Sequence, residues 1–170
     1  MRALYLALPL LLCLAACGDK AAERPAAREP GPDAIGELCH MALAEHRGPK
    51  AQLYLKGSPA PIWFSSIRDL FAWLGDDGAG KPYSAIYVND MASGQWDQPP
   101  PGSWIDAERA LFVAGSDRGA DMGGGELVPF STRQAADRFI AEHGGRILAF
   151  KTIDSRLLAT LTPSKDFPHD

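Results

Sequence analysis

Hydrophobic positions divide the chain into a short apolar N-terminus, a polar stretch and a patterned region that begins near residue 37. In the patterned region, Ile67, Leu70, Phe71 and Leu74 follow the i, i+3, i+4, i+7 spacing that gives a helix one apolar face. Short apolar runs around this helix predict strands, at 51–55, 85–88, 110–114 and 146–150. The pattern therefore predicts an α+β fold.

The pattern occurs twice, at an offset of 66 residues. Residues 62–66 and residues 128–132 each combine a short apolar run with a Phe-Ser corner, and a helical segment follows each. Ser65 or Ser66 is expected to cap the first helix, and Ser131, with Gln134 three residues on, the second. This predicts two related strand-strand-helix-strand halves, at about 50–90 and 103–150. Each half is small for independent folding, so we expect the two to share one core.

The N-terminus has the features of a lipoprotein leader. Arg2 precedes an apolar stretch too short to span a bilayer, and the run Leu14-Ala15-Ala16-Cys17 is a lipoprotein processing box. Residues 1–16 are therefore predicted to be a signal peptide. Cys17 is predicted to become the acylated first residue of a periplasmic protein, and Gly18 after it favours the outer membrane.

Residues 17–36 are predicted to form a flexible tether between this anchor and the folded domain at 37–170. The stretch mixes charged residues, alanines and prolines and offers no apolar face to bury. Without the leader, 16 basic residues remain against 21 acidic ones, a formal charge of −5. This balance excludes nucleic acid as a main partner.

Cys39 is the one cysteine left once Cys13 and Cys17 are assigned to the leader and its processing box. An unpaired thiol in an oxidising compartment suggests a functional role. Met41 lies two residues further on, and in an extended segment both sulfur atoms would point the same way. Thiolate and thioether donors suit Cu(I). In the alternative, a helical segment, Cys39 would be an ordinary buried residue.

A Cu(I) site usually needs a further donor. Met122 is the first candidate, because the glycines that follow it allow a close approach. His46 is close to Cys39 in sequence and could coordinate through a neutral nitrogen. Met91 fits core packing better, His143 fits a helix end, and His169 belongs to the C-terminal tail.

Other functional classes lack their motifs. Beyond the leader and its processing box, the sequence has no Cys-x-x-Cys motif, no second cysteine or spaced histidine pair for a closed zinc site, and no nucleotide-binding loop. Two alternatives to a copper-binding protein stay open. One is a thiol enzyme in which Cys39 is a nucleophile paired with a histidine. The other is a scaffold lipoprotein that binds partner proteins without metal.

Several blocks in the same order resemble one family, the NosL accessory lipoproteins of nitrous oxide reductase. The blocks cover nearly all of the chain after the tether: Cys39–Gln52, Pro61–Ser66, Ile86–Met91, Gly102–Ala107, Met122-Gly123, Val128–Phe130 and His143–Gly145. One position departs from the family pattern, since His40 stands where the family usually has glycine.

The resemblance implies a periplasmic copper chaperone that is not an enzyme and has an organomercurial-lyase-like fold. It implies that Cys39, Met41 and Met122 hold Cu(I). Its implied partners are the nitrous oxide reductase apoprotein, whose copper-sulfide centre is assembled, and an ABC-type membrane complex for that maturation. His40 could supply an extra nitrogen donor.

Overall fold

The computed structural model describes residues 24–121 and 123–161. The predictions for the signal peptide, Cys17, Met122 and His169 lie outside these residues. The described strands are Ala51–Leu55 (β1), Ile62–Phe64 (β2), Tyr83–Asn89 (β3), Trp104–Asp106 (β4), Leu111–Gly119 (β5), Gly125–Phe130 (β6) and Arg146–Ala149 (β7). The described α-helices are Ile67–Gly75 (α1), Arg133–His143 (α2) and Ser155–Thr160 (α3).

Two antiparallel sheets repeat the same topology. The first has the strand order β2-β1-β3-β4 and the second has the order β6-β5-β7. In each half the first strand lies in the centre, between the corner strand and the strand that follows the helix. The α+β fold and the strand-strand-helix-strand repeat are therefore confirmed. Strand β4 and helix α3 add to the repeat and were not predicted, and the likeness to organomercurial lyase stays a prediction.

The two helix caps occupy equivalent positions, 66 residues apart. The Ser66 side chain accepts a hydrogen bond from the Asp69 backbone N–H, and Thr132 does the same for Ala135. The prediction that Ser131 caps α2 is wrong by one residue, because the Ser131 hydroxyl donates instead to the Asp90 carboxylate. The residue after each Phe-Ser pair is thus the cap, which leaves the serine free for another contact.

One hydrophobic core is shared between the halves, as predicted. It combines buried residues of β1, β2, α1 and β3 with residues of β5, β6 and α3. Phe71 of α1 packs edge-on against Phe112 of β5, with ring centroids 5.5 Å apart, and against Phe150 at 5.0 Å. Such aromatic pairs add to the free energy of burial through their favourable ring geometry.

A buried carboxyl group also links the halves. Glu126 of β6 is 1% exposed, and its Oε1 accepts hydrogen bonds from the backbone N–H groups of Arg68 (3.0 Å) and Leu127 (2.8 Å). Arg68 is in the first turn of α1, where backbone N–H groups lack partners within the helix. Burial raises the pKa of Glu126 to about 8, although the two backbone hydrogen bonds favour the charged form.

Residues 24–29, the docked segment, lie against the first sheet, whereas the sequence predicted a free tether there. The Tyr87 hydroxyl donates to the Pro25 carbonyl (2.7 Å) and the Tyr54 hydroxyl donates to the Ala26 carbonyl (3.1 Å). Gln52 pairs with the Arg28 backbone through both amide atoms, at 3.0 and 2.9 Å. Tyr54 and Gln52 are fully buried, so the sheet satisfies the backbone of a segment that has little apolar surface of its own.

Charged side chains fix both ends of the docked segment. Arg24 forms an ion pair with Asp106 (2.7 Å), and its guanidinium lies over the Tyr87 ring. At the other end, Glu29 accepts hydrogen bonds from the backbone N–H of Gly102 (2.8 Å) and the indole N–H of Trp104 (3.0 Å). None of the helices in the described parts of the chain has the length and apolar character needed to cross a membrane.

The raised pKa of Glu126 predicts how stability changes with pH. The folded-state pKa is above the unfolded value, so the contribution of this group is fully present at low pH and is lost as pH rises towards 8. Relative to the wild type, Glu126→Gln should therefore gain stability between pH 5 and pH 9, on the order of 2–4 kcal/mol.

Urea unfolding at both pH values measures this difference. The control is Glu45→Gln, which changes an exposed glutamate and should follow the wild type at both pH values. A stability difference between Glu126→Gln and wild type that is the same at pH 5 and pH 9 would contradict the assignment.

Candidate metal centre

The segment that carries Cys39 is a tight turn. Ile35 and Ala42 form an antiparallel bridge, and the backbone N–H of Gly36 donates to the carbonyl of Met41 (3.0 Å). The chain reverses within residues 37–40, so this segment is neither the extended strand nor the helix considered from the sequence. The His40 backbone completes the reversal with a φ of +54°.

The conformation of His40 explains why glycine suits this position. A positive φ is strained for a residue with a Cβ atom and is unstrained for glycine. His40 is exposed, and the turn therefore keeps the backbone conformation of a glycine while presenting an imidazole to solvent. Its suggested role as an extra nitrogen donor stays a prediction.

Two side chains approach the Cys39 thiol. Its Sγ atom lies 3.6 Å from His46 Nε2 and 3.3 Å from Ser65 Oγ. Cys39 is half-buried, whereas His46 is 6% exposed. The structure thus brings together a thiol and an imidazole that are seven residues apart, with the thiol accessible from one side.

Gly36 makes room for the thiol. A Cβ atom added to Gly36 would lie 2.6 Å from Cys39 Sγ and 3.4 Å from Ser65 Cβ. The first separation is shorter than any van der Waals contact, so any other residue at this position would displace the sulfur. The absence of a side chain at Gly36 is therefore part of the geometry of the site.

Ser65 is a site residue that the sequence reasoning missed. It was considered only as a helix cap, but Ser66 fills that role. The Ser65 hydroxyl donates to Asp69 Oδ2 at 3.0 Å and presents its oxygen to Cys39. The repeat gave no signal for this role, because Ser131, its equivalent in the second half, was itself expected to cap a helix, and only the structure shows its hydroxyl in another contact.

Met41 supplies a thioether close to the thiol in sequence and accessible to solvent. Its side chain is 41% exposed, and Ile35 and Leu38 of the same turn are also exposed. Large apolar side chains are rarely left in water in a group. We call Ile35, Leu38 and Met41 the apolar rim of the site.

The neighbours of Met122 lie beside the His46 segment, although Met122 itself is outside the described residues. The Asp121 carboxylate accepts a hydrogen bond from the Arg47 backbone N–H and forms an ion pair with the Arg47 guanidinium. Arg47 directly follows His46, so the glycine-rich loop starts next to the backbone of this segment. On the other side of Met122, Gly124 lies close to Arg68. A Cβ atom added to Gly124 would be 3.0 Å from the guanidinium carbon of Arg68.

Lys50 holds the His46 segment in place from inside the protein. Its ammonium group is buried and donates to the carbonyls of Arg47 (3.0 Å) and Gly48 (2.7 Å). Burial lowers the pKa of Lys50 to about 8, against the opposing effect of the negative charges of Glu126 and Asp121. These two hydrogen bonds fix the backbone that follows His46.

Two other sequence candidates lie in different surroundings. Met91 is 3% exposed and packs in a second small core with Val113, Val128 and Phe130, as expected of a packing residue. His143 is the last residue of α2, and its Nδ1 lies 2.9 Å from Asp117 Oδ1.

The donor set favours a soft metal ion. Among residues 24–121 and 123–161 there is no group of three or more His, Cys, Asp and Glu side chains that could hold a metal. The atoms gathered here are one thiol and one imidazole, with a thioether in the same turn. Such donors suit Cu(I) better than Ca²⁺, Mg²⁺ or a closed zinc site.

Fold and site together define a small α+β protein in which a free thiol of the described residues, that of Cys39, is half-buried beside an imidazole. Residues 27–158 match the family model described as NosL, and the chain belongs to the NosL family. The predicted family membership is thereby confirmed.

Relatives and solved structures agree with this assignment. The chain is 43% identical over 152 residues to the copper-binding lipoprotein NosL of Achromobacter cycloclastes, covering 88% of this chain and 79% of the relative. It is 32% identical over 156 residues to that of Stutzerimonas stutzeri, covering 90% and 80%. These relatives are named for copper binding and not for catalysis, as predicted from the sequence.

The crystal structure of the copper chaperone NosL from Shewanella denitrificans superposes with a TM-score of 0.69 and 34% identity, covering 78% of this chain and 99% of that one. The solution structure of apo-NosL from Achromobacter cycloclastes gives a TM-score of 0.50 and 43% identity, covering 69% and 94%. These matches support the fold described above.

The close approach of Gly36 to the thiol yields a test of the site geometry. Gly36→Ala should displace Cys39 Sγ from its contacts with Ser65 and His46, because the added Cβ would lie 2.6 Å from the sulfur. We expect Cys39 to react faster with a thiol-specific reagent and Cu(I) affinity to fall about tenfold, a change of about 1.4 kcal/mol.

Gly31→Ala is the matched control, because a Cβ at Gly31 meets no atom within 4 Å. It should leave both thiol reactivity and affinity unchanged. If Gly36→Ala behaves like Gly31→Ala, the thiol does not occupy the described position.

Proposed function

We propose that this protein is a Cu(I) chaperone that supplies copper for assembly of the copper-sulfide centre of nitrous oxide reductase. The observation that carries the proposal is the contact between Cys39 Sγ and His46 Nε2, 3.6 Å apart, in a turn that also exposes the Met41 thioether. The copper-binding and chaperone names of the relatives support it.

Charge balance suits the proposed ligand set of Cys39, Met41, Met122 and His46. A thiolate neutralises one Cu(I) ion, and thioethers and a neutral imidazole add donors without adding charge. Binding releases the thiol proton to solvent. The thiolate contributes most of the affinity, whereas the neutral donors dissociate more easily and open a position for an incoming ligand.

Transfer to a partner requires access, and the turn provides it. Cys39 is half-buried and the apolar rim lies on the same short segment of chain, so a partner can cover the rim while its own donors approach the metal. Burying the rim would remove apolar surface from water and favour the complex. The proposed recipients are the nitrous oxide reductase apoprotein and its ABC-type maturation complex.

A lipid anchor at Cys17 would hold this exchange at a membrane. The processing box in the sequence and the lipoprotein names of the relatives support acylation of Cys17 and a periplasmic location. Gly18 favours the outer membrane. Acylation at one residue with more than one chain gives stable anchoring.

The thiol-imidazole contact also suits a second candidate, a thiol-dependent enzyme. A cysteine beside a histidine is a common nucleophile-base pair. The two functions differ in their need for metal: an enzyme of this type would turn over a substrate when metal-free, and a chaperone would not.

A scaffold lipoprotein would bind partners and bind copper no better than a free thiol does. X-ray absorption at the copper and sulfur edges of the loaded protein would distinguish a specific site from a generic thiolate.

Cys39→Ser should remove tight Cu(I) binding, because a hydroxyl does not supply an anionic soft donor. We expect the affinity to fall on the order of a thousandfold, about 4 kcal/mol. Competition with a chromogenic Cu(I) chelator measures the loss, and circular dichroism checks that the fold is retained. Wild-type affinity in Cys39→Ser would eliminate the proposed site.

Met122→Leu should weaken Cu(I) binding about tenfold without unfolding the protein, because it removes one neutral donor and conserves volume. Met91→Leu is the matched control, since Met91 packs in the second core away from the described thiol contacts. It should keep wild-type affinity in the same competition assay. Equal affinities for the two variants would exclude Met122 from the ligand set.

A further inference from the structure

A cleft in the second half lies outside the candidate metal centre. Its volume is about 280 Å³, and its apolar floor includes Met91, Phe130 and Phe139. Arg118, Arg138 and Trp96 are among the residues around this floor. Most of the exposed lining of this cleft is polar, and the apolar side chains contribute the smaller part.

A large bulge in β5 builds one side of this cleft. Ala114 pairs with Leu127 and Gly119 pairs with Gly125, so β5 advances five residues while β6 advances two. The bulge begins at Gly115, whose φ of +74° requires a glycine-like conformation. Bulges of this kind redirect side chains at functional sites. Here the bulge carries Arg118 to the cleft.

Arg118 lacks the partners that a half-buried guanidinium usually has. Its charged group lies over the Trp96 ring, 5.2 Å from the centroid, and its Nε atom is buried without a hydrogen bond. Ser116 Oγ, on the same bulge, is also buried and without a partner. Within the described parts of the chain, no carboxylate forms an ion pair with Arg118. Buried polar groups without partners are rare and call for a missing ligand or water.

The described acidic groups around the cleft are not paired with its arginines. Arg138 on α2 also has no ion-pair partner among the described residues. His143 is engaged by Asp117, with Nδ1 and Oδ1 2.9 Å apart, and its ring stacks against Phe139. Glu142 lines the rim, with its carboxylate largely in solvent. The Asp117 and Glu142 carboxylates thus both lie near His143, and among the described residues neither is paired with Arg118 or Arg138.

We propose that this cleft binds a carboxylate attached to an apolar body. A guanidinium binds a carboxylate through paired N–H donors, and Arg118 and Arg138 provide these without an internal competitor. Phe139, which is half-buried, provides accessible apolar surface for that body, and the Trp96 ring lies against the Arg118 guanidinium. The same chemistry is found in a free small organic acid and in the C-terminal residue of a polypeptide.

Calorimetric titration of the full-length protein in non-ionic detergent tests this site. The probes are 3-phenylpropionate and a short peptide ending in phenylalanine with a free carboxylate, each compared with its amide. We expect both acids to bind at least about tenfold more tightly than their amides, because hydrogen bonds between two charged groups are stronger than those to a neutral amide. Tighter binding of the small acid assigns a free metabolite-sized ligand, and tighter binding of the peptide assigns a chain end.

Variants locate the binding. Arg118→Gln and Arg138→Gln should each weaken acid binding about tenfold, and Glu142→Gln should strengthen it a few-fold by removing a negative charge from the rim. Arg133→Gln, on the same helix but in an ion pair with Asp137, is the control and should change nothing. Acids and amides that bind equally or do not bind, or an equal loss in Arg133→Gln, would overturn the proposal. Arg138 and Glu142 are exposed, so their variants test the site even if Arg118→Gln fails to fold.

Discussion

The hydrogen bonds of Glu126 connect the second half of the protein to the helix on which the site depends. A fully buried carboxyl of β6 accepts from the first turn of α1 and from its own strand. Because α1 begins directly after the Phe-Ser corner, this contact also fixes where Ser65 stands, and Ser65 lies against the Cys39 thiol. The site therefore depends on both halves, although Cys39, His46 and Ser65 all precede the second one. Burying an ionisable group at this junction costs stability, and the shared aromatic core around Phe71 offsets that cost.

In the candidate metal centre, contacts on the inner side fix the position of the thiol, whereas Met41 on the outer side is exposed. Gly36, Ser65 and the buried His46 determine where the sulfur lies, and Lys50 holds the backbone behind the imidazole. Met41 is in solvent, on a turn that also carries exposed apolar side chains. Strong binding and easy release make opposite demands on a site. With the proposed ligands these demands would fall on different side chains, since Cys39 is held in place and Met41 is exposed.

The parts of the fold that follow from periodicity could be predicted from the sequence. Apolar spacing located α1 and α2 and the central strands, and the 66-residue offset revealed two related halves. Features decided by contacts distant in sequence could not be predicted. The docked segment has the composition of a disordered linker, yet buried Gln52 and Tyr54 satisfy its backbone. The reversal at residues 37–40 depends on the positive φ of His40, a residue that gives no turn signal. Ser65 approaches the thiol only because the next residue caps the helix, and the β5 bulge has no periodic pattern to mark it.

The docked segment limits how far the folded domain can travel. A free chain from Cys17 to Gly36 would reach about 65 Å when fully stretched, but docking from Arg24 leaves seven links, or about 25 Å. With the proposed anchor at Cys17, this short linker would keep the domain close to the bilayer surface. Its search volume would be a thin layer, in which the local concentration of membrane-bound partners is high and that of freely diffusing ones is not. The Arg24–Asp106 ion pair would then set the distance at which copper can be exchanged. The guanidinium groups of Arg24 and Arg28, which lie over the rings of Tyr87 and Tyr54, would support it.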